Sequence, residues 1–398
     1  MKNLKIILCA FICIVSATAF SQDKAGNTEY QFTQKIELKH TPVKDQYHSG
    51  TCWSFAAVSF IESELLRTGK DTFDLSEMFF VNHAYREKAE RYVRLHGTSN
   101  FGPGGQAHDV FNIMKEYGLA TQQEYPGLHK GENNHDHGEL DAVLESFLKA
   151  VVSNKSGKLT PVWFEAYGAI IDTYLGKLPV KDVKVAKGGN STDFTSIMGL
   201  NPDDYVEITS YTHHPFYNAF ALEIPDNWSN NLYYNVPIED LVQILNYSLE
   251  NGYTVCWDGD VSDRGFSHKN SLAIIPEIQP VSSEGTEMSK WENMTEKERN
   301  DLVYNFKEPR VEKTITQEMR QEAFNNLQAT DDHLMHMVGL SKDQNGKNYF
   351  ITKNSWAGNS NSTGGYLNIS ESYVRLNTIA ITVHKDAIPK NIRKELGL

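Results

Sequence analysis

The residues best suited to chemistry lie in the string Gln46-Tyr47-His48-Ser49-Gly50-Thr51-Cys52-Trp53-Ser54-Phe55. Cys52 stands where a tight turn, allowed by Gly50, runs into an apolar helical pattern. A thiol at a helix N-terminus feels the positive end of the helix dipole, which favours the thiolate. The thiolate is the form that attacks a carbonyl carbon. Gln46, upstream of it, offers a side-chain amide N–H. Together with the Cys52 backbone N–H it is suited to hold the oxyanion of a tetrahedral intermediate.

A base for such a thiol stands far downstream, in Asp332-His333-Leu334-Met335-His336-Met337-Val338-Gly339-Leu340. Period-two alternation puts His333, Met335 and Met337 on one face and His336 on the other. The two histidines therefore do not serve one site, and His336 is expected to be structural. Lys353-Asn354-Ser355-Trp356 follows. The Asn354 amide oxygen is suited to accept the second imidazole N–H, and Trp356 to shield that bond from water. Nucleophile, base and neutral orienter are then Cys52, His333 and Asn354.

These elements need a scaffold. Cys52 to Arg67 reads as a helix with one broad apolar face, and Asp74-Leu75-Ser76-Glu77 opens a second. Ala107 to Tyr117 is a third, stopped by Gly118. Residues 128–245 read as an insertion of amphipathic helices (Leu140 to Val152, Trp163 to Leu175, Ile238 to Glu250) and polar loops. Residues 22–40 read as an extended lead-in with an edge strand. Short strands follow from Thr254, and residues 282–300 read as a polar, acidic surface excursion. His333–Leu340, Asn348–Thr352, Tyr366–Ile369 and Ile379–Val383 predict an antiparallel sheet. Helices first and strands later indicate an α+β fold in two lobes.

The segments resemble the papain superfamily, with Cys, His and Asn in the same chain order and at wide spacing. Gly104-Gly105, Leu75-Ser76-Glu77 and Tyr125-Pro126-Gly127 add to the resemblance. It implies a helical lobe, an antiparallel sheet or barrel lobe and a long insertion. It also implies a peptidase with Cys52 as nucleophile, His333 as base, Asn354 as orienter and Gln46 as oxyanion donor. Gly104, Gly105 and Trp356 would border the substrate. Secreted members usually carry a disulfide cysteine three residues before the nucleophile; here that residue is Ser49. Gln-x-x-Ser-Gly-x-Cys-Trp-x-Phe is similar to bleomycin hydrolase and bacterial aminopeptidase C. So are Asp204-Tyr205-Val206, Pro215-Phe216-Tyr217-Asn218, Asn235-Val236-Pro237 and Gly252-Tyr253-Thr254-Val255-Cys256-Trp257. That branch implies peptide substrates, aminopeptidase action and no cofactor. It is usually intracellular and hexameric, so a homo-oligomer is among the expectations. In it a C-terminal arm enters the cleft and selects free amino termini. The segment Lys390 to Leu398 is shorter than the usual arm, and is expected to reach the site if it serves the same purpose. Endopeptidase action and a catalytically silent binding protein are the competing readings.

The bulk properties agree. Hydrophobic residues at 40% and aromatics at 11% over 398 residues suffice for a sizeable core. Residues 1–21 read as a signal peptide: Lys2 and Lys5, an apolar run from Ile6 to Val15, and the small residues of Ala19-Phe20-Ser21. Export, with cleavage before Gln22 and no stable membrane anchor, is the expectation, giving a periplasmic or secreted protein. Cleavage removes two lysines and no acids, moving the formal charge from -13 to -15. An acidic chain without a basic cluster argues against nucleic acid. Cys52 and Cys256 remain, too few for a disulfide framework. A Cys52–Cys256 bridge is the bland alternative, and Cys256 otherwise reads as a buried apolar residue.

Other polar groups carry less weight. His135-Asp136-His137, near His129, reads as a solvated loop, and His213-His214-Pro215 as a turn; no metal site is expected. Asp258 and Asp260 either line a substrate pocket or end a strand.

Overall fold

The computed structural model describes residues 29–129, 131–179, 198–279 and 285–398. The stretch read as a signal peptide lies outside them.

The first lobe is helical. Helices α1 (Cys52–Arg67), α2 (Glu77–Arg94) and α3 (Ala107–Tyr117) pack around Trp53, Phe60, Ile61, Phe80 and Val110. Helices α4 (Gly138–Val152) and α5 (Trp163–Leu175) add Leu140, Leu144, Leu148 and Ile171 to the same core. Helix α2 starts where Ser76 accepts a hydrogen bond from the Phe79 N–H, and α3 stops at Gly118, whose φ of 80° suits glycine.

Among the described residues the second lobe is one eleven-stranded sheet. Its centre is β5 (Val255–Gly259), β8 (His333–Lys342), β9 (Asn348–Lys353) and β10 (Tyr366–Ser370), paired antiparallel through β8 and β9. β1 (Thr33–Glu37) also pairs with β8. β6 (Phe266–Ser267) and β7 (Leu272–Ala273) extend the β10 side. β11 (Thr378–His384) pairs with β5 and carries β2 (Tyr205–Thr209), β4 (Leu232–Asn235) and β3 (Ala219–Ala221).

Two features add to the sequence reading. The strands read from His333 onward pair antiparallel, and the whole sheet is mixed because β10 also runs parallel to β7 and β2 parallel to β4. The described part of 128–245 holds the helices read there and also three short strands, β2, β3 and β4, in its second half. These strands are three to five residues long, too short for alternation to declare them.

Side-chain alternation divides the central strands between two cores. Cys256 and Leu334 join the helical lobe, whereas Val255, Trp257, Met335 and Met337 face the opposite core. That second core is closed by α6 (Ile238–Glu250) and α10 (Glu371–Asn377). It also holds Ile392 and Leu396 of α11, the helix Lys390–Leu396. The C-terminal residues are thus packed on the sheet face opposite α1. The expectation that they thread the cleft is not met. The polar stretch near 282–300 forms α7 (Gly285–Asn293) and α8 (Glu296–Val303), and α9 (Gln317–Asn325) precedes β8.

Candidate active site

Cys52 is the first residue of α1, at the seam between the lobes. Thr51 at the N-cap makes no capping side-chain hydrogen bond, so no side chain covers the N–H groups of Cys52 and Trp53, while the Ser54 N–H donates to Thr51 O at 3.0 Å. The turn before it holds a surprise. The left-handed residue is Tyr47, with φ 50°. Gly50 is glycine for another reason: a Cβ there would stand 2.5 Å from Pro103 Cγ. The glycine lets the 100–105 loop close on the turn that leads into Cys52, and Trp53 Nε1 fastens that loop by donating to Pro103 O at 2.9 Å.

Gln46 is held from both ends. Its Oε1 accepts from Ser355 Oγ at 2.6 Å, and its Nε2 donates to Ser49 O at 2.8 Å. That leaves the second N–H of Nε2 free. Beneath it, Lys44 Nζ binds Glu77 Oε1 at 2.6 Å, Glu62 Oε1 at 3.2 Å and Leu75 O at 3.0 Å. The segment carrying Gln46 is thereby anchored to α1 and α2.

His333 opens β8, and Asn354 follows the end of β9. His333 Nε2 donates to Asn354 Oδ1 at 2.7 Å, and Trp356 packs on the imidazole at 4.8 Å between centroids. Nδ1 is the ring nitrogen left over. Leu334, the next residue, offers its backbone N–H to the Cys52 sulfur. The same geometry removes His336 from the site: its Nδ1 meets Ser59 Oγ at 2.8 Å, under α1.

Burial governs the electrostatics. It pushes the Cys52 thiol up to about 12, aided by the charges of Asp226, Asp258 and Asp331 and opposed by the Leu334 N–H. It pushes the His333 imidazole down to about 4, with His268 adding to the effect and Asn354 opposing it. The expectation of a thiol simply favoured as thiolate is corrected: either charge by itself is disfavoured here.

The other sequence readings sort cleanly. Gly104 and Gly105 lie at this seam; a Cβ on Gly105 would press on Trp53, and one on Gly104 would collide with the Asp226 carboxylate. Cys52 and Cys256 are both free thiols, so the bridge is excluded. His135 and His137 are not in a solvated loop. Both are buried, His135 against Phe55, and burial lowers both rings to about 4. His213, His214 and Glu223 sit together at the surface, with Glu223 paired to both rings. Asp260 ends a strand, accepting from Ser262 N and Thr330 N. Asp258 does something else, described below.

Sequence reasoning missed His268, Asp331 and Asp226. His268 Nδ1 accepts from Asn354 Nδ2 at 3.2 Å, and its Nε2 donates to Ser360 Oγ at 2.7 Å. Asp331 accepts from Gln106 Nε2 with both oxygens at 3.0 Å. Its place two residues before His333 was the available signal. Asp226 lies in an ordinary Pro-Asp turn and gave none.

Residues 29–160 match the family model described as "Papain family cysteine protease". Over 92% of its length the chain is 22% identical to aminopeptidase C of Streptococcus thermophilus, covering 85% of that protein. Aminopeptidase C of Listeria monocytogenes is 21% identical over 98% of this chain and 90% of its own. The solved structure of PepW from Lactobacillus rhamnosis superposes with a TM-score of 0.67 at 19% identity, covering 92% of this chain and 84% of that one. Taken with the lobe arrangement, these matches make the chain similar to the cysteine peptidases of the papain superfamily and, along most of its length, to aminopeptidase C.

Proposed function

We propose that this protein is an exported thiol aminopeptidase working through Cys52, His333, Asn354 and Gln46. The observation that carries the reading is the 2.7 Å bond from His333 Nε2 to Asn354 Oδ1. It engages Nε2 with Asn354 and leaves Nδ1 as the ring nitrogen that would take the thiol's proton.

Cys52 Sγ attacks the carbonyl carbon of the bond to be cut, and its proton passes to His333 Nδ1. The carbonyl oxygen gains charge and is met by the Cys52 N–H and the free Gln46 N–H. Collapse breaks the C–N bond, and the His333 proton goes to the leaving amine. Water then attacks the thioester, gives a proton to His333, and releases the acid with Cys52 restored. Asn354 holds the imidazole through both halves, and Trp356 keeps water from that bond.

Export rests on Lys2, Lys5 and the apolar run from Ile6 to Val15. Amino-terminal sequencing of protein recovered from outside the cytoplasm should begin at Gln22; an intact Met1 would contradict export. For the activity, purified protein should release fluorophore from a leucine amide and lose that ability after iodoacetamide. Turnover that survives alkylation of Cys52 would end the reading.

A further inference from the structure

The structure holds a carboxylate pair that the catalytic account leaves unused. Asp258 on β5 is paired across the sheet with Leu334, one step from the base. It is 3% exposed, and among the described residues neither of its oxygens makes a hydrogen bond of good geometry, although the side chains of Asp331 and Gln106 approach it. A buried carboxyl so poorly satisfied is costly, and native structures seldom keep one without use. Its carboxyl faces that of Asp331, which is partly open and accepts from Gln106. The strongest neighbouring charges on both are other carboxylates, Asp226 among them. Lys88 offsets Asp226 and Asp109.

A second feature bears on the same place. The loop between β3 and β4, residues 222–231, folds down on the helical lobe. Asn100 Nδ2 donates to Pro225 O at 3.1 Å, Trp228 Nε1 donates to Asp109 Oδ2 at 2.8 Å, and His108 Nε2 meets Ser229 Oγ at 3.0 Å. This seats the Asp226 carboxylate on the Gly104 backbone. A glycine pair at the edge of a cleft would otherwise leave room for a passing chain. Asp226 fills that room with negative charge.

We propose that Asp226, Asp331 and the buried Asp258 form the subsite for the substrate's free α-ammonium group, and that the 222–231 loop closes the cleft beyond it. The inference rests on the reading of Cys52 as the nucleophile, and it gives that reading its substrate class: peptides and amides with an unblocked amino terminus. An ammonium brings three N–H donors, which suits carboxylate oxygens so poorly satisfied. The two facing carboxyls do not both ionise readily when empty, since like charges so close disfavour double ionisation. The arriving cation supplies the missing countercharge. It also offsets the field by which these acids oppose ionisation of the Cys52 thiol, so binding the right substrate readies the nucleophile. The gate is built from the insertion and the sheet, and residues 390–398, folded on the far core, take no part.

The test separates binding from turnover. Cys52→Ala protein is titrated calorimetrically with leucinamide and with N-acetyl-leucinamide, alone and carrying Asp331→Asn or Asp226→Asn. Leucinamide should bind, and each added substitution should weaken it about tenfold or more. The acetylated compound should bind poorly throughout. Equal affinity for the two compounds, or no change in either variant, overturns the proposal. Asp226→Asn lies in a partly exposed loop, so it answers the question if Asp331→Asn disturbs the fold. In parallel, Cys52 protein is assayed on leucine and acetyl-leucine fluorogenic amides. The ratio of their kcat/KM should fall at least tenfold in the two aspartate variants, and an unchanged ratio again overturns it. Amine-selective binding without Cys52-dependent turnover would sink the catalytic reading and leave the subsite standing.

Discussion

The amide nitrogen of Asn354 donates to Nδ1 of His268 at 3.2 Å, and this contact, with the Ser355 N–H donating to Oδ1 at 2.7 Å, sets which end of the amide faces His333. With the nitrogen engaged, the oxygen must point to the imidazole. His268 is thus a positioning residue, itself held by Ser360 through Nε2. His268→Phe keeps a ring beside Trp356 and removes the acceptor. It should lower kcat about tenfold with little change in KM, as expected when an orienting hydrogen bond is lost. His268→Asn should recover part of the loss. Unchanged kcat in the Phe variant would show that Asn354 needs no such partner.

The two histidines of β8 should behave in opposite ways. His333→Ala should cost on the order of 10³-fold or more in kcat/KM, as removal of a catalytic base does. Asn354→Ala should cost less, because the base remains. His336→Ala should leave kcat within a few-fold but lower stability by about 1–3 kcal/mol, through the lost contacts with Ser59 and Phe60. Loss of turnover on changing His336, with His333 dispensable, would reverse the assignment of faces.

The acidic groups beside the nucleophile make a prediction about the free enzyme. Asp226, Asp258 and Asp331 all oppose the Cys52 thiolate. Asp331→Asn should therefore speed alkylation of Cys52 by iodoacetamide severalfold at about pH 8. Mass spectrometry of the labelled peptide reads the rate at Cys52 alone. An equal rate would mean that the carboxylate does not act on the sulfur.

The same group sets a pH dependence of stability. Burial and the neighbouring acids raise the Asp331 carboxyl to about 7 in the folded chain, from an ordinary value of 3.8. The folded state holds this proton more tightly than the unfolded one. Its stabilising contribution is complete below about pH 4 and is lost as pH rises through 7. Wild-type Tm should thus fall relative to Asp331→Asn over that interval; a constant difference would contradict the shift.

Ile392 tests where the C-terminal segment belongs. It is buried with Leu396 in the core beyond the sheet. Ile392→Ala should cost about 2–5 kcal/mol of stability. Selectivity between free and acetylated amides should be unaltered. A shift of selectivity toward blocked substrates would mean that this segment does gate the cleft.

Much of this was legible in the residues. Helices Cys52–Arg67, Ala107–Tyr117, Trp163–Leu175 and Ile238–Glu250 have the bounds that their apolar period and end signals indicate. Long strands such as His333–Lys342 declare themselves by the same kind of pattern. What stayed hidden depends on long-range contact. The strands of 205–235 are too short to show a period, and parallel pairing leaves no trace in alternation. His135 and His137 read as solvated from polar neighbours, yet the loop carrying them folds against Phe55. Cys52, His333 and Asn354 could be singled out as candidates because each sits in a telling local string. Asp226 and His268 act only through residues distant in the chain, 226 beside 104 and 268 beside 354, and no local pattern reports that.

The most direct measurement is hydrolysis of a leucine fluorogenic amide by purified Cys52→Ala protein whose circular dichroism and Tm match the wild type. Alanine suits a helix start, so the fold should be retained. The account predicts that kcat/KM falls by about 10³-fold or more, since no other described group has the thiol's place at the α1 terminus beside the Leu334 N–H. A folded Cys52→Ala protein that keeps most of its activity would contradict it.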